Sequence, residues 1–225
     1  MPAQTKDRLA LTPEDYKMCT QQVDIIINCA ASVDFNTVLD QAININVKGA
    51  MRVLKLAHDC QRLQSLMHVS TCYVNCEKRG FIEEKIYKLE FDSSTLIETV
   101  MKMPKDEVES QQPKILGPYP NTYSMTKSMA EDLLKKNRKG VPLVIFRPSI
   151  IGSSWEEPTP GWVDTLSAAG IVLFLMELSL LHYLHGSIKN IGDVVAVDHV
   201  VNHMIVATAL CAGQDKLQVI HSSSS

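Results

Sequence analysis

The sequence predicts an α/β protein built on a parallel β-sheet, because short apolar segments rich in β-branched residues alternate with segments of helical periodicity. Three segments have the length and composition of buried strands: 23–27, 66–69 and 143–146. None of them alternates polar with apolar residues, so we expect both faces of each strand to be covered. Helical periodicity occupies 38–60 and 123–137 between them. Strand, helix, strand, helix, strand is the order of a parallel sheet with crossover helices.

The remaining segments extend this pattern. The stretch 77–114 is densely charged and weakly periodic, and we expect a loop and short-helix excursion over the carboxyl ends of the strands, where ligands of such sheets bind. The Pro- and Gly-rich stretch 152–162 predicts a long loop. A short strand at 194–197, a helix at 199–211 and a strand at 217–220 follow.

Composition restricts the class of protein. The chain has 225 residues, of which 45% are hydrophobic and 21% charged, as in a soluble globular domain. The formal net charge of −3 gives no electrostatic footprint for nucleic acid, so we expect no nucleic-acid partner. Six cysteines without a C-x-x-C pair favour a reducing compartment, and the N-terminus has no apolar segment of a secretory signal.

The segment 165–188 is almost wholly apolar and, at 24 residues, is long enough to cross a membrane. Glu177 at its centre costs about 2.5 kcal/mol or more on insertion, and Gly170 and Gly186 weaken a continuous helix. We therefore expect a buried or ligand-lining segment that makes at most peripheral contact with a membrane.

The sharpest local motif is the pair Tyr123 and Lys127, which stand four residues apart on a predicted helix and so share one face. A phenol and an ammonium on one face can contact one ligand. The cation is expected to stabilise the phenolate and to lower the tyrosine pKa from its usual value of about 10, which makes Tyr123 a candidate general acid.

Two hydroxyls support the same site. The predicted strand 66–69 runs directly into Ser70 and Thr71, which places both side chains at a strand's carboxyl end. Either one could hydrogen-bond a substrate carbonyl.

Several motifs together resemble an extended short-chain dehydrogenase/reductase. These are Asn28-Cys29-Ala30-Ala31, Asn46-Val47-Lys48-Gly49, His68-Val69-Ser70-Thr71, the Tyr123/Lys127 pair and Arg147-Pro148-Ser149. Narrower segments, INCAASVDF at 27–35, GSSWEEPTPGWVD at 152–164 and VDHVVN at 197–202, are similar to fatty acyl-CoA reductases of the male sterility type. The resemblance runs from about Leu11 to His221.

The resemblance implies a Rossmann-type doubly wound parallel sheet and an enzyme that reduces long-chain fatty acyl-CoA with NADPH, through an aldehyde, to a fatty alcohol. Tyr123 would donate the proton, Lys127 would bind the nicotinamide ribose, and Thr71, or alternatively Ser70, would position the substrate. The resemblance implies cofactor contacts from Asn28, Ala30, Ala31, Asn46, Tyr123, Lys127, Pro148, Ser149 and Ile150. It also implies association with peroxisomal or endoplasmic reticulum membranes, and otherwise a cytoplasmic protein.

The family's glycine-rich turn, G-x-x-G-x-x-G, does not occur in this sequence. Residues 9–16 are similar to the stretch before the family's fourth strand, so the resemblance implies an N-terminally truncated fragment that also lacks the family's C-terminal region. In these terms, residues 1–150 form a partial cofactor-binding domain with an insertion at 77–114. Residues 151–225 form a small substrate-side segment and the last strands. We expect poor solubility of this chain alone, because an incomplete sheet exposes an apolar edge.

Other readings of the sequence stay open. A truncated member could act as a non-catalytic binding module, and the same fold serves thioester reductases that stop at the aldehyde, epimerases and steroid-type dehydrogenases. His199 and His203 are spaced for a metal, but no third ligand is signalled and we expect none to bind. The sequence carries no indication of the oligomeric state.

Overall fold

A computed structural model of the chain describes residues 3–164, 169–183, 185–187 and 190–225. The strands are β1 (Ile25–Asn28), β2 (Ser65–Val69), β3 (Leu143–Pro148), β4 (Ile150–Gly152), β5 (Val194–Ala196) and β6 (Leu217–Ser222). Strands β1, β2, β3 and β6 form one sheet in that spatial order, and every pairing in it is parallel. Strands β4 and β5 form a separate parallel pair. The predicted α/β class and parallel sheet are confirmed.

Helices connect the strands. They are α1 (Pro13–Gln22), α2 (Leu39–Ala42), α3 (Lys48–Asp59), α4 (Ser93–Lys102), α5 (Lys105–Leu116), α6 (Thr122–Asn137), α7 (Ala169–Glu177) and α8 (Val197–Cys211). Short 3₁₀ turns occupy Ala3–Thr5, Asp7–Ala10 and Cys72–Asn75. Helix α3 leads from β1 to β2, and α6 leads from β2 to β3, so both crossovers carry a helix as the sequence predicts.

The helix expected over 38–60 is interrupted between α2 and α3 by a π-helical segment, Ile43–Val47. The extra residue per turn changes which side chains face inward, and π segments are frequent at functional sites. Here the segment buries Asn46 between the loop after β1 and α6. Periodicity alone predicts a regular helix and does not reveal the interruption.

Apolar layers lie on both faces of the sheet. On one face, α3 and α6 pack on alternate residues of the central strands through Leu54, Leu66, Leu134 and Ile145. On the other face, α8 packs on the intervening residues. This second cluster contains Met67, Val144, Phe146, Val200 and Ala207. Strands β2 and β3, which lead into the predicted site residues Ser70, Thr71 and Ser149, are therefore packed on both faces.

Strand β1 departs from the expected double-sided burial. Strands β2 and β3 are buried throughout, but Ile25 and Ile27 of β1 are 46% and 45% exposed. Strand β1 pairs with β2 on one edge, and within the described ranges no strand covers its other edge. An exposed apolar strand of this kind can pair with a strand of another polypeptide chain.

The charged stretch 77–114 is more regular than predicted. It contains helices α4 and α5, which pack on the outer side of α2 and α6 through Val100, Val108 and Leu39. Only its first part reaches the carboxyl ends of the strands, where the Lys85 carbonyl and the Glu84 carboxylate contact β3 and β6. Residues 77–114 therefore add mainly to the helical layer formed by α2 and α6, and cover the strand ends only through residues 84–85.

The apolar segment predicted at 165–188 lies partly outside the described residues. Within it, α7 exposes large apolar side chains, among them Ile171, Phe174 and Met176. None of the helices in the described part of the chain has the length and hydropathy needed to span a membrane. All six cysteines are free thiols.

Candidate active site

The start of helix α6 is fixed by side-chain caps. The Asn121 side chain accepts a hydrogen bond from the Ser124 amide at 2.9 Å, as an N-cap does. The Thr122 hydroxyl donates to the Thr37 carbonyl at 2.8 Å, which ties the first turn to the loop after β1. Tyr123 is therefore held in the first turn of α6, with Lys127 one turn further on.

Lys127 is buried beside the end of β2. Its side chain is 3% exposed, and Nζ donates a hydrogen bond to the Val69 carbonyl at 2.8 Å. Burial lowers the pKa of Lys127 to about 8, and the neighbouring Cys29 and Glu131 oppose this lowering. An ammonium with such a pKa can hold or release a proton near neutral pH.

Tyr123 lies next to Lys127, whose Nζ is 5.9 Å from the centre of the phenol ring. Burial raises the pKa of Tyr123 above its usual value of 10, while a hydrogen bond with Thr71 acts in the opposite direction. The expected lowering of this pKa is thus wrong for the structure as it stands. The physical reason is that desolvation dominates and the ammonium is directed to the Val69 carbonyl.

Aromatic contact also shapes the mouth of the site. The ring of Phe35 is 5.7 Å from that of Tyr123, in a tilted arrangement, and Phe35 is mostly exposed. Sequence reasoning did not single out Phe35 as a site residue. The INCAASVDF motif at 27–35, which ends on it, was the available signal.

The two hydroxyls after β2 have separate surroundings. The Thr71 side chain is hydrogen-bonded to the Tyr123 phenol, and its hydroxyl also lies 3.5 Å from the Pro148 carbonyl. Ser70 donates instead to the buried Glu131 carboxylate at 2.6 Å. The structure therefore brings Thr71 together with Tyr123 and places Ser70 in a neighbouring polar network.

The segment after β1 borders the same site. Asn28 ends the strand, and its side chain contacts Nδ1 of the buried His68 at 3.0 Å. Burial, with Lys127 nearby, lowers the pKa of His68 well below its usual value, so this ring is neutral. The next residues, Cys29 and Ala30, are exposed, and Ala31 is half-buried. Their short side chains leave the backbone open to a flat ligand.

Asn46 is a positioning residue in this arrangement. Its Oδ1 accepts the Ser32 amide at 2.8 Å, and Nδ2 donates to the Ser32 carbonyl and to Thr126 Oγ1. The amide is thus occupied in holding the loop after β1 against α6, and these contacts do not include Lys127.

The stretch Pro148–Ile150 leads from the main sheet to the second one. Pro148 ends β3, the Ser149 amide donates to the Ser222 carbonyl at 2.9 Å, and the Ile150 amide donates to the Asp193 carbonyl at 3.2 Å. These residues follow the carboxyl end of β3, beside Thr71. The predicted cofactor-flanking residues therefore lie at the same edge of the sheet as the Tyr–Lys pair.

Two further features were not predicted. A buried ion pair joins Glu131 to Arg147 at 2.6 Å, with both side chains 1% exposed. The Asp198 carboxylate accepts the backbone amides of Trp155, Glu156 and Glu157 at 2.8 to 3.1 Å, which anchors the Pro- and Gly-rich loop to the start of α8. Arg147, a charged residue directly after the predicted buried strand 143–146, was the available signal for the first feature.

Comparison with known proteins identifies the family. Residues 4–204 match the model of an NAD-binding family described as "Male sterility protein". The chain belongs to the male sterility protein family. Its sequence is 35% identical over 203 residues to fatty acyl-CoA reductase 1 of Xenopus laevis, which covers 90% of this chain and 39% of that protein.

Other relatives give the same picture. Identity to human fatty acyl-CoA reductase 1 is 35% over 94% of this chain and 41% of that protein. Identity to mouse fatty acyl-CoA reductase 2 is 31% over 96% of this chain and 42% of that protein. The chain thus spans about two-fifths of the length of the curated reductases it matches.

Solved structures share the fold. The terminal R domain of the myxalamid biosynthetic pathway superposes with a TM-score of 0.70 at 20% identity, over 98% of this chain and 48% of that one. UDP-glucuronic acid 4-epimerase from Bacillus cereus, in complex with NAD, gives a TM-score of 0.61 at 17% identity, over 98% of this chain and 59% of that one. The Rossmann-type architecture expected for a reductase of this family is therefore confirmed.

The residues of this chain fit one end of a nicotinamide cofactor. The Lys127 ammonium, the Tyr123 phenol and the open backbone at Ala30 offer donors and a flat surface for a nicotinamide ribose. The sequence contains no glycine-rich turn that would hold a pyrophosphate. Among the described residues, no group of three His, Cys, Asp or Glu side chains is arranged for a metal ion.

Proposed function

We propose that this chain carries the active site of an oxidoreductase that reduces long-chain fatty acyl-CoA to a fatty alcohol, through an aldehyde, with NADPH. One observation carries the proposal. Tyr123 and Lys127 stand one turn apart on α6, beside the carboxyl ends of β2 and β3, with the Thr71 hydroxyl bonded to the phenol. Family membership supports the acyl-CoA substrate.

A bound nicotinamide would supply hydride to the carbonyl carbon. The residues of this chain act on the oxygen, where negative charge develops as the carbon accepts the electron pair. The Tyr123 O–H and the Thr71 O–H are the donors for that oxygen, and Tyr123 gives up its proton to it. Lys127, held by the Val69 carbonyl, places a positive charge beside the resulting phenolate.

The proposed sequence uses two hydrides. The first gives a tetrahedral hemithioacetal, which releases coenzyme A as the thiol and leaves the aldehyde. The second converts the aldehyde to the alcohol with another proton from Tyr123. Each acyl-CoA therefore consumes two NADPH and two protons. Burial keeps the Tyr123 phenol protonated at neutral pH but makes it a weaker acid, so the proton moves only as negative charge develops on the carbonyl oxygen.

The proposal assigns residues of this chain to the nicotinamide end of the cofactor. In this proposal the nicotinamide ribose would be contacted by the Tyr–Lys pair, by Asn28 and Ala30 after β1, and by the stretch after β3. The choice of NADPH over NADH rests on the family resemblance. In a Rossmann domain the residue that distinguishes the two typically lies about 20 residues after the glycine-rich turn, and this sequence contains no such turn.

A second candidate function rests on the exposed β1. Ile25 and Ile27 leave an apolar strand surface that could bind another polypeptide, in which case the chain acts as a binding module without turnover. A thioester reductase that stops at the aldehyde keeps the same site chemistry. Product analysis distinguishes the three.

The apolar side chains of α7 support a further part of the proposal. Ile171, Phe174 and Met176 are exposed together, and we propose that they make peripheral contact with a membrane surface from which long-chain substrates arrive. Association with peroxisomal or endoplasmic reticulum membranes stays a prediction.

The test is an acyl-CoA reduction assay that follows NADPH oxidation and identifies the products by gas chromatography and mass spectrometry. Removing one oriented donor typically lowers kcat by about 10²–10³, so we expect that loss for Tyr123→Phe with little change in the binding of NADPH. The matched control is Tyr16→Phe. The Tyr16 hydroxyl on α1 donates to Asp59, the last residue of α3, and takes no part in the Tyr–Lys site. Equal turnover of Tyr123→Phe and wild type would contradict the proposal.

A further inference from the structure

A buried polar network lies directly behind the Tyr–Lys pair. Arg147 Nε donates to Glu131 Oε1 at 2.9 Å and Nη2 donates to Oε2 at 2.6 Å, so the ion pair is bidentate. Glu131 Oε1 also accepts the Ser70 hydroxyl at 2.6 Å. Nη2 also donates to the Lys85 carbonyl, and Nη1 contacts Nε2 of the His221 ring, each at 3.1 Å.

The members of the network belong to the elements that carry the site. Glu131 follows Tyr123 and Lys127 on α6 at the same four-residue spacing, so the three side chains share one face of the helix. Ser70 immediately precedes Thr71 after β2. Arg147 immediately precedes Pro148 at the end of β3. The ion pair therefore connects the helix of the Tyr–Lys pair with both strand ends of the site.

Stability alone does not account for such a pair. Removing two charges from water is costly, and replacing a buried ion pair by apolar side chains of similar size is often neutral or stabilising. Leucine or methionine at these positions would extend the neighbouring apolar cluster without that cost. What the ion pair adds is a fixed geometry, because two parallel hydrogen bonds hold α6 and β3 in one relative position.

The network also sets the charge around Lys127. The groups that face this ammonium are the Tyr123 phenol and the Glu131 carboxylate on its own helix, His68 on β2 and Cys29 after β1. His68 is neutral, since burial holds its pKa well below the usual value. Glu131 is therefore the carboxylate among these groups that supplies negative charge next to Lys127.

We propose that the Glu131–Arg147 ion pair is a positioning device for the Tyr123–Lys127 site, which fixes α6 against the ends of β2 and β3 and places a negative charge behind Lys127. Glu131 and Arg147 are positioning residues, since they act through Lys127 and through the strand ends. The proposal deepens the proposed function and rests on it for its catalytic consequence, but not for its structural one.

The experiment follows Lys127 itself. Lysine is labelled with carbon-13 at Cε in the 225-residue chain, the Lys127 signal is assigned with Lys127→Arg, and its titration is recorded by NMR. We compare wild type with Glu131→Gln and with the charge-free double variant Glu131→Gln/Arg147→Met. The matched control is Asp215→Asn, which removes the carboxylate of the exposed Arg138–Asp215 pair at the other end of α6.

Glu131→Gln removes the carboxylate that favours the charged form of Lys127, so we expect the titration midpoint to fall by about one pH unit. The double variant is expected to melt near the wild-type temperature with a smaller fall, and Asp215→Asn is expected to leave the midpoint unchanged. Where reductase turnover is measurable, both Glu131 variants should lower kcat more than they raise KM.

A Lys127 midpoint that is the same in Glu131→Gln as in wild type would overturn the proposal, because the pair would then be structural only. If Glu131→Gln yields no folded protein, the double variant decides: a lowered midpoint supports the proposal and an unchanged one overturns it. The titration needs no turnover, so a chain that proves inactive would refute the proposed function without deciding this inference.

Discussion

Replacing Lys127 by methionine should stabilise the folded chain while it destroys the site. The lysine pKa falls from 10.5 to about 8 on folding, because the side chain is buried. At about 1.4 kcal/mol per pH unit, charging this residue costs the folded state about 3 kcal/mol below pH 8. Methionine has a similar length and no charge, and the lost hydrogen bond to the Val69 carbonyl offsets about 1 kcal/mol. The expected gain in unfolding free energy at pH 7 is therefore about 2 kcal/mol.

The sign of the pH dependence follows from the lowered pKa. Between about pH 8 and 10.5 the unfolded chain binds a proton at this residue that the folded chain does not bind. Wild-type stability therefore rises with pH across that window relative to the variant. The advantage of Lys127→Met is complete below pH 8 and disappears toward pH 10.5.

Urea unfolding followed by circular dichroism, at several pH values from 7 to 10, measures this difference. Differences between variant and wild type cancel the titration of other groups. The control is Lys135→Met, since Lys135 lies on the same helix but is exposed, and its effect should stay within about 0.5 kcal/mol. A Lys127→Met chain that is less stable than wild type at pH 7, or a gain that does not depend on pH, would refute the reasoning.

Three further predictions concern other surfaces. Asp198→Asn replaces a carboxylate that accepts three backbone amides by a side chain that also carries donors, so the loop should be held less tightly. Chymotrypsin should then cleave after Trp155 several-fold faster, with little change in melting temperature. An equal cleavage rate would show that the carboxylate does not anchor the loop. Ile27→Lys should reduce self-association in light scattering after size-exclusion chromatography, because a charge on β1 blocks strand addition, and an unchanged mass would exclude β1 as the contact. Phe174→Asp should weaken flotation with phospholipid vesicles that contain long-chain acyl-CoA, and unaltered flotation would remove α7 from the proposed membrane contact.

Patterns of buried apolar residues made the fold predictable. Strands 66–69 and 143–146 are continuous apolar segments with helical periodicity between them, and the structure has parallel strands there joined by α6. The register of Tyr123 and Lys127 was also accessible, since four-residue spacing on a helix places both on one face. Local periodicity carries this information because it reflects which side of an element is buried.

What the sequence left unpredicted depends on contacts distant along the chain. The π segment that buries Asn46 is stabilised by bonds to Ser32 and Thr126, and no local pattern encodes them. The exposure of Ile25 and Ile27 depends on which element lies beside β1. The raised pKa of Tyr123 depends on the depth of burial, which outweighs the opposing hydrogen bond with Thr71. A pairing such as that of Arg147 with Glu131 emerges only when the strand and helix are brought together.

The most direct test of the central claim is a fluorescence titration of NADPH into the 225-residue chain, with Lys127→Ala and the exposed-site control Lys135→Ala measured in parallel. The account predicts saturable binding that is lost in Lys127→Ala and kept in Lys135→Ala. No saturable binding, or binding that Lys127→Ala leaves intact, would contradict the claim that Tyr123 and Lys127 form a nicotinamide site in this protein.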